Sequence, residues 1–162
     1  MIANPDIAGR LRFYRIDDDM RANLRVAWKA VEKDLPTIIA SDIDPDAVET
    51  ARLNAIAAGV SEYITFAECD FAATRMPPPP GVVFMNPEYG ERLGAGEDLE
   101  PLYNRIGDFL KQKCAGYSGC VLTGNMEMSR KVGLRSVRRI PFFNGPIECR
   151  MVVYDLYEGG AS

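Results

Sequence analysis

The spacing of apolar positions changes period several times along the chain, and each change predicts an element. Thr37-Ile38-Ile39-Ala40 and Val82-Val83-Phe84-Met85 are compact apolar runs with β-branched residues, which read as buried strands. Tyr63–Glu68 and Gly119–Thr123 predict two further strands. Helical spacing holds Val48, Ala51, Ala55 and Ala58 on one face over Pro45–Ala58. It recurs over Leu99–Lys113 with Leu99, Leu102, Tyr103, Ile106, Phe109 and Leu110. The first of these helices has Asp44 as N-cap, Pro45 at its first position and Gly59 as terminator. Met126–Val132 reads as a short helix or irregular piece. Upstream, Met1–Ile16 has no clear period, although Leu11, Phe13 and Ile16 hint at an extended segment. Met20, Leu24, Ala27, Trp28 and Val31 predict a helix that Leu35-Pro36 ends. Leu134–Ile140 and Glu148–Leu156 predict two strands joined across Pro141–Pro146, where Asn144-Gly145 is a strong turn dipeptide. Strands and helices in alternation, closed by a hairpin, imply an α/β sheet that is mostly parallel with an antiparallel C-terminal edge.

Composition narrows the chemistry. The chain of 162 residues has the length of one domain and contains no histidine. Serine–histidine and cysteine–histidine catalysis are therefore excluded, as are histidine metal centres. Cys69, Cys114, Cys120 and Cys149 are widely spaced, with no Cys-x-x-Cys pair, and read as reduced thiols in a cytoplasmic protein with no metal site. The apolar runs are too short for a membrane span, and the first residues lack the pattern of a secretory signal. Net charge is −4, unlike a domain that grips nucleic acid by charge alone. Arg130, Lys131, Arg135, Arg138 and Arg139 nevertheless cluster late. They read either as a solvated helix end and strand edge or as a phosphate-contacting patch.

Three successive strand ends carry polar side chains: Asp42, Asp70 and Asn86. Ligands in open α/β sheets bind beyond the carboxyl ends of the strands, so the three should converge on one rim. An acidic residue such as Asp42 can accept both hydroxyls of a ribose there; a plain turn aspartate is the alternative. Asp70 can accept from an adenine amino group with Phe71 near the ring. Asn86-Pro87-Glu88-Tyr89 offers an amide, a carbonyl fixed by proline and a flat aromatic surface, which suits a planar, amine-bearing base.

These residues resemble the class I S-adenosylmethionine-dependent methyltransferases, and more closely the THUMP-containing 23S rRNA guanine-N2 methyltransferases. The resemblance lies in Ser41-Asp42-Ile43-Asp44-Pro45, in Asn86–Leu93 and in Asn144-Gly145-Pro146-Ile147-Glu148-Cys149-Arg150. It implies a Rossmann-like sheet and S-adenosylmethionine as cofactor. Asp42 would hold the ribose, Ile43 would pack on adenine, and Asp70 with Phe71 would address the adenine edge. Asn86 and the Pro87 carbonyl would accept from the target amine, and Tyr89 would stack on the base. Two acceptors favour the pyramidal form of an exocyclic amine, and alignment supplies most of the acceleration. The base must be unstacked to enter.

The chain departs from that pattern twice. The family's Asp-Pro-x-Cys-Gly-Ser-Gly-Thr strand-loop-helix, whose strand is the middle of the sheet, is not in this sequence. Glu88 stands where the family has proline, adding a carboxylate and loosening the backbone. The expectation is a partial catalytic domain, 1–162, the C-terminal part of the family's. It would comprise an N-terminal helical region (1–36), a cofactor and base half (37–93) and a C-terminal half with the hairpin (94–162). Its sheet gap should be filled by another segment or chain, and 23S rRNA should be gripped by a module outside it. The competing readings are a DNA or protein amino-methyltransferase and a non-catalytic methyltransferase-like remnant.

Overall fold

The computed structural model describes residues 2–5, 11–14, 35–89, 98–144 and 147–157, with 2–5, 11–14 and 144 traced by backbone. The predicted helix over residues 17–34, the glycine-rich loop at 90–97, with the Gly90–Leu93 part of the family stretch, and the turn residues 145–146 lie outside the described residues. Two compact units are present, one drawn from the described residues of Met1–Ala40 and Asp46–Phe66, the other from those of Ser41–Pro45 and Ala67–Ser162.

In the first unit, β1 (Ile2–Pro5) and β2 (Leu11–Tyr14) form an antiparallel hairpin with Ile2 opposite Tyr14. The extended piece predicted around Leu11 and Phe13 is thus half of a pair. α1 runs over Pro45–Ala58 as its caps predict. Gly59 ends it at φ +73° while the Val60 N–H donates to the Ala55 carbonyl at 2.9 Å, the bond pattern of a left-handed helix terminus. Of the four residues predicted for its apolar face, Val48 and Ala55 are buried, whereas Ala51 and Ala58 are exposed. β3 (Ile38–Asp42) and β4 (Ile64–Glu68) make a two-stranded sheet whose C-terminal tips belong to the second unit.

The second unit holds the main core. Its sheet has the order β5 (Gly81–Met85), β6 (Tyr117–Thr123), β8 (Ile147–Asp155), β7 (Arg138–Asn144). β5 and β6 are parallel, with Phe84 opposite Cys120; β6–β8 and β8–β7 are antiparallel. β6 alternates strictly, burying Tyr117, Gly119, Val121 and Thr123. α2 (Glu100–Lys113) lays Tyr103, Ile106, Gly107 and Leu110 onto the core as one helical face, joined by Phe109. α3 (Met126–Lys131) follows β6 directly, with the Asn125 side chain accepting from the Met128 N–H at its start. Gly107 is required for the helix contact, because a Cβ there would collide with the Val132 carbonyl oxygen.

The terminal hairpin differs from its expected bounds. β7 begins at Arg138 and runs through Pro141, Phe142 and Phe143 to Asn144, which pairs with Ile147. The Pro141–Asn144 stretch was expected to be loop. It becomes strand because proline is tolerated at an edge, where the missing N–H breaks no central ladder. Among the described residues, β5 has a strand partner only in β6, and β3 only in β4.

Candidate active site

Asp42, at the end of β3, is exposed, and its carboxylate accepts from the Asp44 N–H at 3.0 Å. This is an Asx turn that orients the side chain before α1 begins. Its carbonyl accepts from the Cys69 N–H at 2.9 Å, which puts the β3 tip beside the residue preceding Asp70. Ser41 and Thr74 hydroxyls share a hydrogen bond of 2.8 Å across the same junction. Ile43 projects next to Asp42 and is 70% exposed. An uncovered aliphatic side chain beside a carboxylate is the pairing expected for the two halves of a nucleoside.

Asp70 caps a single 3-10 turn, Phe71–Ala73, by accepting from the Ala72 N–H at 2.9 Å. Its other oxygen accepts from the Arg105 guanidinium at 2.7 Å. The Arg105 hydrogen bond, with the Ala72 N–H second, holds the Asp70 carboxyl below the usual range. Arg105 also lies 5.1 Å over the Phe71 ring, and Phe71 meets Phe109 edge-on at 5.5 Å. Asp70 and Phe71 are therefore fastened to α2.

The Asn86–Tyr89 loop is fastened to the same helix. Asn86 is exposed at the β5 tip, whereas Pro87 and Tyr89 are half-buried. The fully buried Tyr103 hydroxyl donates to the Glu88 carbonyl at 3.2 Å and shares a 2.7 Å hydrogen bond with Thr123. Thr123 in turn accepts from the Asn125 N–H at 3.0 Å. Burial pushes the Tyr103 phenol up, so it stays protonated and able to donate. The backbone that Glu88 was expected to loosen is thus tied from beneath. The Tyr89 ring lies against Gly124, where a Cβ would come within 3.1 Å of it. A side chain there would press the ring outward by a few tenths of an ångström.

The structure thus brings Asp42, Ile43, Asp70 and Phe71 together at adjoining strand ends. It sets Asn86, Pro87 and Tyr89 at the next strand end of the same unit. α2 serves both groups: Tyr103 holds the Glu88 carbonyl and Arg105 holds Asp70. Neither residue stood out as functional in the sequence. Tyr103 looked like any core position, and Arg105 needed its three-dimensional partners Asp70 and Phe71 to acquire a role. Thr123-Gly124-Asn125, directly after a strand, was the readable signal for the loop's seat.

Among the described residues there is no group of His, Cys, Asp and Glu able to hold a metal ion, and no helix long and apolar enough to cross a membrane.

Polar and aromatic side chains at the carboxyl ends of β3, β4 and β5 are the arrangement in which α/β folds hold ligands. Residues 2–153 match the family model UPF0020, described as an RMKL-like methyltransferase domain, and the chain belongs to that family. It is 32% identical over 145 residues to ribosomal RNA large subunit methyltransferase K/L of Syntrophotalea carbinolica, covering 87% of this chain and 20% of that protein. The same comparison with the K/L enzyme of Methylococcus capsulatus gives 37% over 122 residues, 75% of this chain and 16% of that protein. The chain thus spans about a fifth or less of the length of these two relatives. Among solved structures it resembles SMU.472 in complex with SAH, with a TM-score of 0.72 and 23% identity over 88% of this chain and 38% of that one. That likeness shows the class I methyltransferase fold.

Proposed function

We propose that the chain is the nucleoside- and base-binding part of a ribosomal RNA amino-methyltransferase, acting on the N2 amine of guanine with S-adenosylmethionine as donor. The observation that carries this reading is the Asn86–Tyr89 loop, held on its buried side by Tyr103 and Thr123 while Asn86 stays exposed at the β5 tip. The relatives' printed activity on ribosomal RNA supports it, as does the family stretch Ser41–Pro45.

The residues present fit the nucleoside half of the cofactor. Asp42 would take the ribose hydroxyls, Ile43 would cover one adenine face, and Asp70 with Phe71 would meet the adenine edge. Bound there, the cofactor supplies an electrophilic sulfonium methyl group. Asp70 already accepts from Arg105 and Ala72, and a carboxylate retains acceptor sites for a further amine. Asn86 and the Pro87 carbonyl would accept from the exocyclic amine, drawing its lone pair out of conjugation and aiming it. Tyr89 would fix the plane of the unstacked base. No proton need leave to a histidine, since the amine loses its proton only after it has become a cation.

Calorimetry and a transfer assay test this reading. The 162-residue chain alone should bind S-adenosylmethionine weakly or not at all; micromolar affinity would contradict the reading of a half-pocket. Joined to an upstream Asp-Pro-x-Cys-Gly-Ser-Gly-Thr segment, it should methylate guanine N2 in 23S rRNA, and Asn86→Ala should cut the rate at least ~100-fold. Transfer to DNA adenine instead, or none at all with the cofactor bound, would favour the competing amino-methyltransferase or the non-catalytic remnant.

A further inference from the structure

β7 is the outer strand of the four-stranded sheet, and its surroundings are unlike the rest of the chain. Between Glu127 and Glu148 stand five basic residues and no acidic one, in a chain of net charge −4. Lys131 pairs with Glu100 at 2.7 Å. Arg130, Arg135, Arg138 and Arg139 are exposed, and among the described residues none of the four has a carboxylate partner. The strand's alternation puts Arg138 and Phe142 on one face and Arg139 and Phe143 on the other. Phe142 is 50% exposed and Phe143 64%. A solvated edge accounts for arginines, but it does not account for two phenyl rings left in water beside them. Pro141 sits between the pairs and has no N–H to offer, so this edge is a poor template for another strand. What fits is a partner that brings negative charge and flat apolar faces in alternation.

We propose that the β7 edge is a contact surface for single-stranded RNA, with Arg135, Arg138 and Arg139 on phosphates and Phe142 and Phe143 stacking on unpaired bases. The inference rests on the RNA reading above and adds a gripping surface within this chain to whatever lies outside it. It supplies local basic charge to a chain that is acidic as a whole.

Fluorescence anisotropy with a labelled, mixed-sequence RNA of about 16 nucleotides tests it on the 162-residue chain. The double variant Arg138→Glu/Arg139→Glu should weaken binding at least about 30-fold, and should flatten the slope of log K against log salt by about 1.4, two phosphates' worth. Phe142→Ala/Phe143→Ala should weaken binding about tenfold or more with the slope unchanged. Phe142→Tyr/Phe143→Tyr should keep it, which separates loss of stacking from loss of fold. The charge-matched pair Arg75→Glu/Lys113→Glu, away from β7, should shift affinity less than about threefold by general repulsion. β7 variants that behave like this control would overturn the surface, as would tighter binding to duplex RNA or to phosphatidylserine vesicles. In the chain joined to the upstream Asp-Pro-x-Cys-Gly-Ser-Gly-Thr segment, RNA binding through β7 without methyl transfer would leave the surface standing and remove the enzymatic reading. Methyl transfer indifferent to the β7 variants would do the reverse.

Discussion

α1 and α2 have the same length and the same kind of start, a proline within the first turn, yet they are held very differently. α2 buries Tyr103, Ile106, Gly107, Phe109 and Leu110. α1 buries Val48 and Ala55 alone and leaves Leu53 57% and Ile56 56% exposed. The cause is legible in side-chain size and distribution. α2 concentrates its large apolar residues on one stripe against β6 and β8, whereas α1 puts alanine on its buried side and its large residues elsewhere. Burying a Leu or Ile side chain contributes about 1.5–3 kcal/mol, so α1 forgoes most of what α2 gains. The site's anchors follow the same division. Tyr103 and Arg105, which fix the Asn86–Tyr89 loop and the Asp70 turn, both come from the well-buried helix.

Three measurements would break or sharpen this contrast. The largest effect should come from Gly107→Ala, whose new Cβ would collide with the Val132 carbonyl and push α2 from the following turn. A loss of about 4 kcal/mol or more is expected in urea unfolding, and a loss under about 1 kcal/mol would show that the contact yields freely. Next, Ile106→Ala in the core should cost about 3 kcal/mol. Leu53→Ala on α1 should stay within about 0.5 kcal/mol; equal costs would erase the distinction between the helices. A small effect also concerns the Asp70–Arg105 pair. Because the folded carboxyl is held low, its contribution is complete above the unfolded value near 3.9 and fades as pH falls through the folded one. The pair is partly exposed, so Arg105→Gln should cost about 0.2–1 kcal/mol at pH 7. The difference between variant and parent should shrink as pH falls below the unfolded value. A cost independent of pH would assign the role of Arg105 to its packing on Phe71 instead.

Much of the framework was readable before any coordinates. The bounds of α1 follow from Asp44-Pro45 and Gly59, and each strand near the site lies within a few residues of its apolar run. Local rules suffice there, because caps, prolines and short β-branched runs act within a few residues. They failed at β7, where Pro141 and the Asn144-Gly145 signal suggested a long loop. The partner strand β8 instead carries pairing through Asn144. The three polar strand ends were likewise visible as positions, but their anchoring was not. Arg105 is an ordinary charge on a helix until Asp70, 35 residues earlier, meets it.

What the sequence alone determined was therefore the family, the order of elements and the residue types at the strand tips, since each is written in contiguous stretches. Tertiary structure decided which helix carries stability and how Glu88 is restrained despite the missing proline. It also decided that two phenylalanines and arginines with no carboxylate partner among the described residues share one exposed edge. Those outcomes depend on contacts between distant segments, and burial and hydrogen bonding across such separations leave no local periodic trace in a chain.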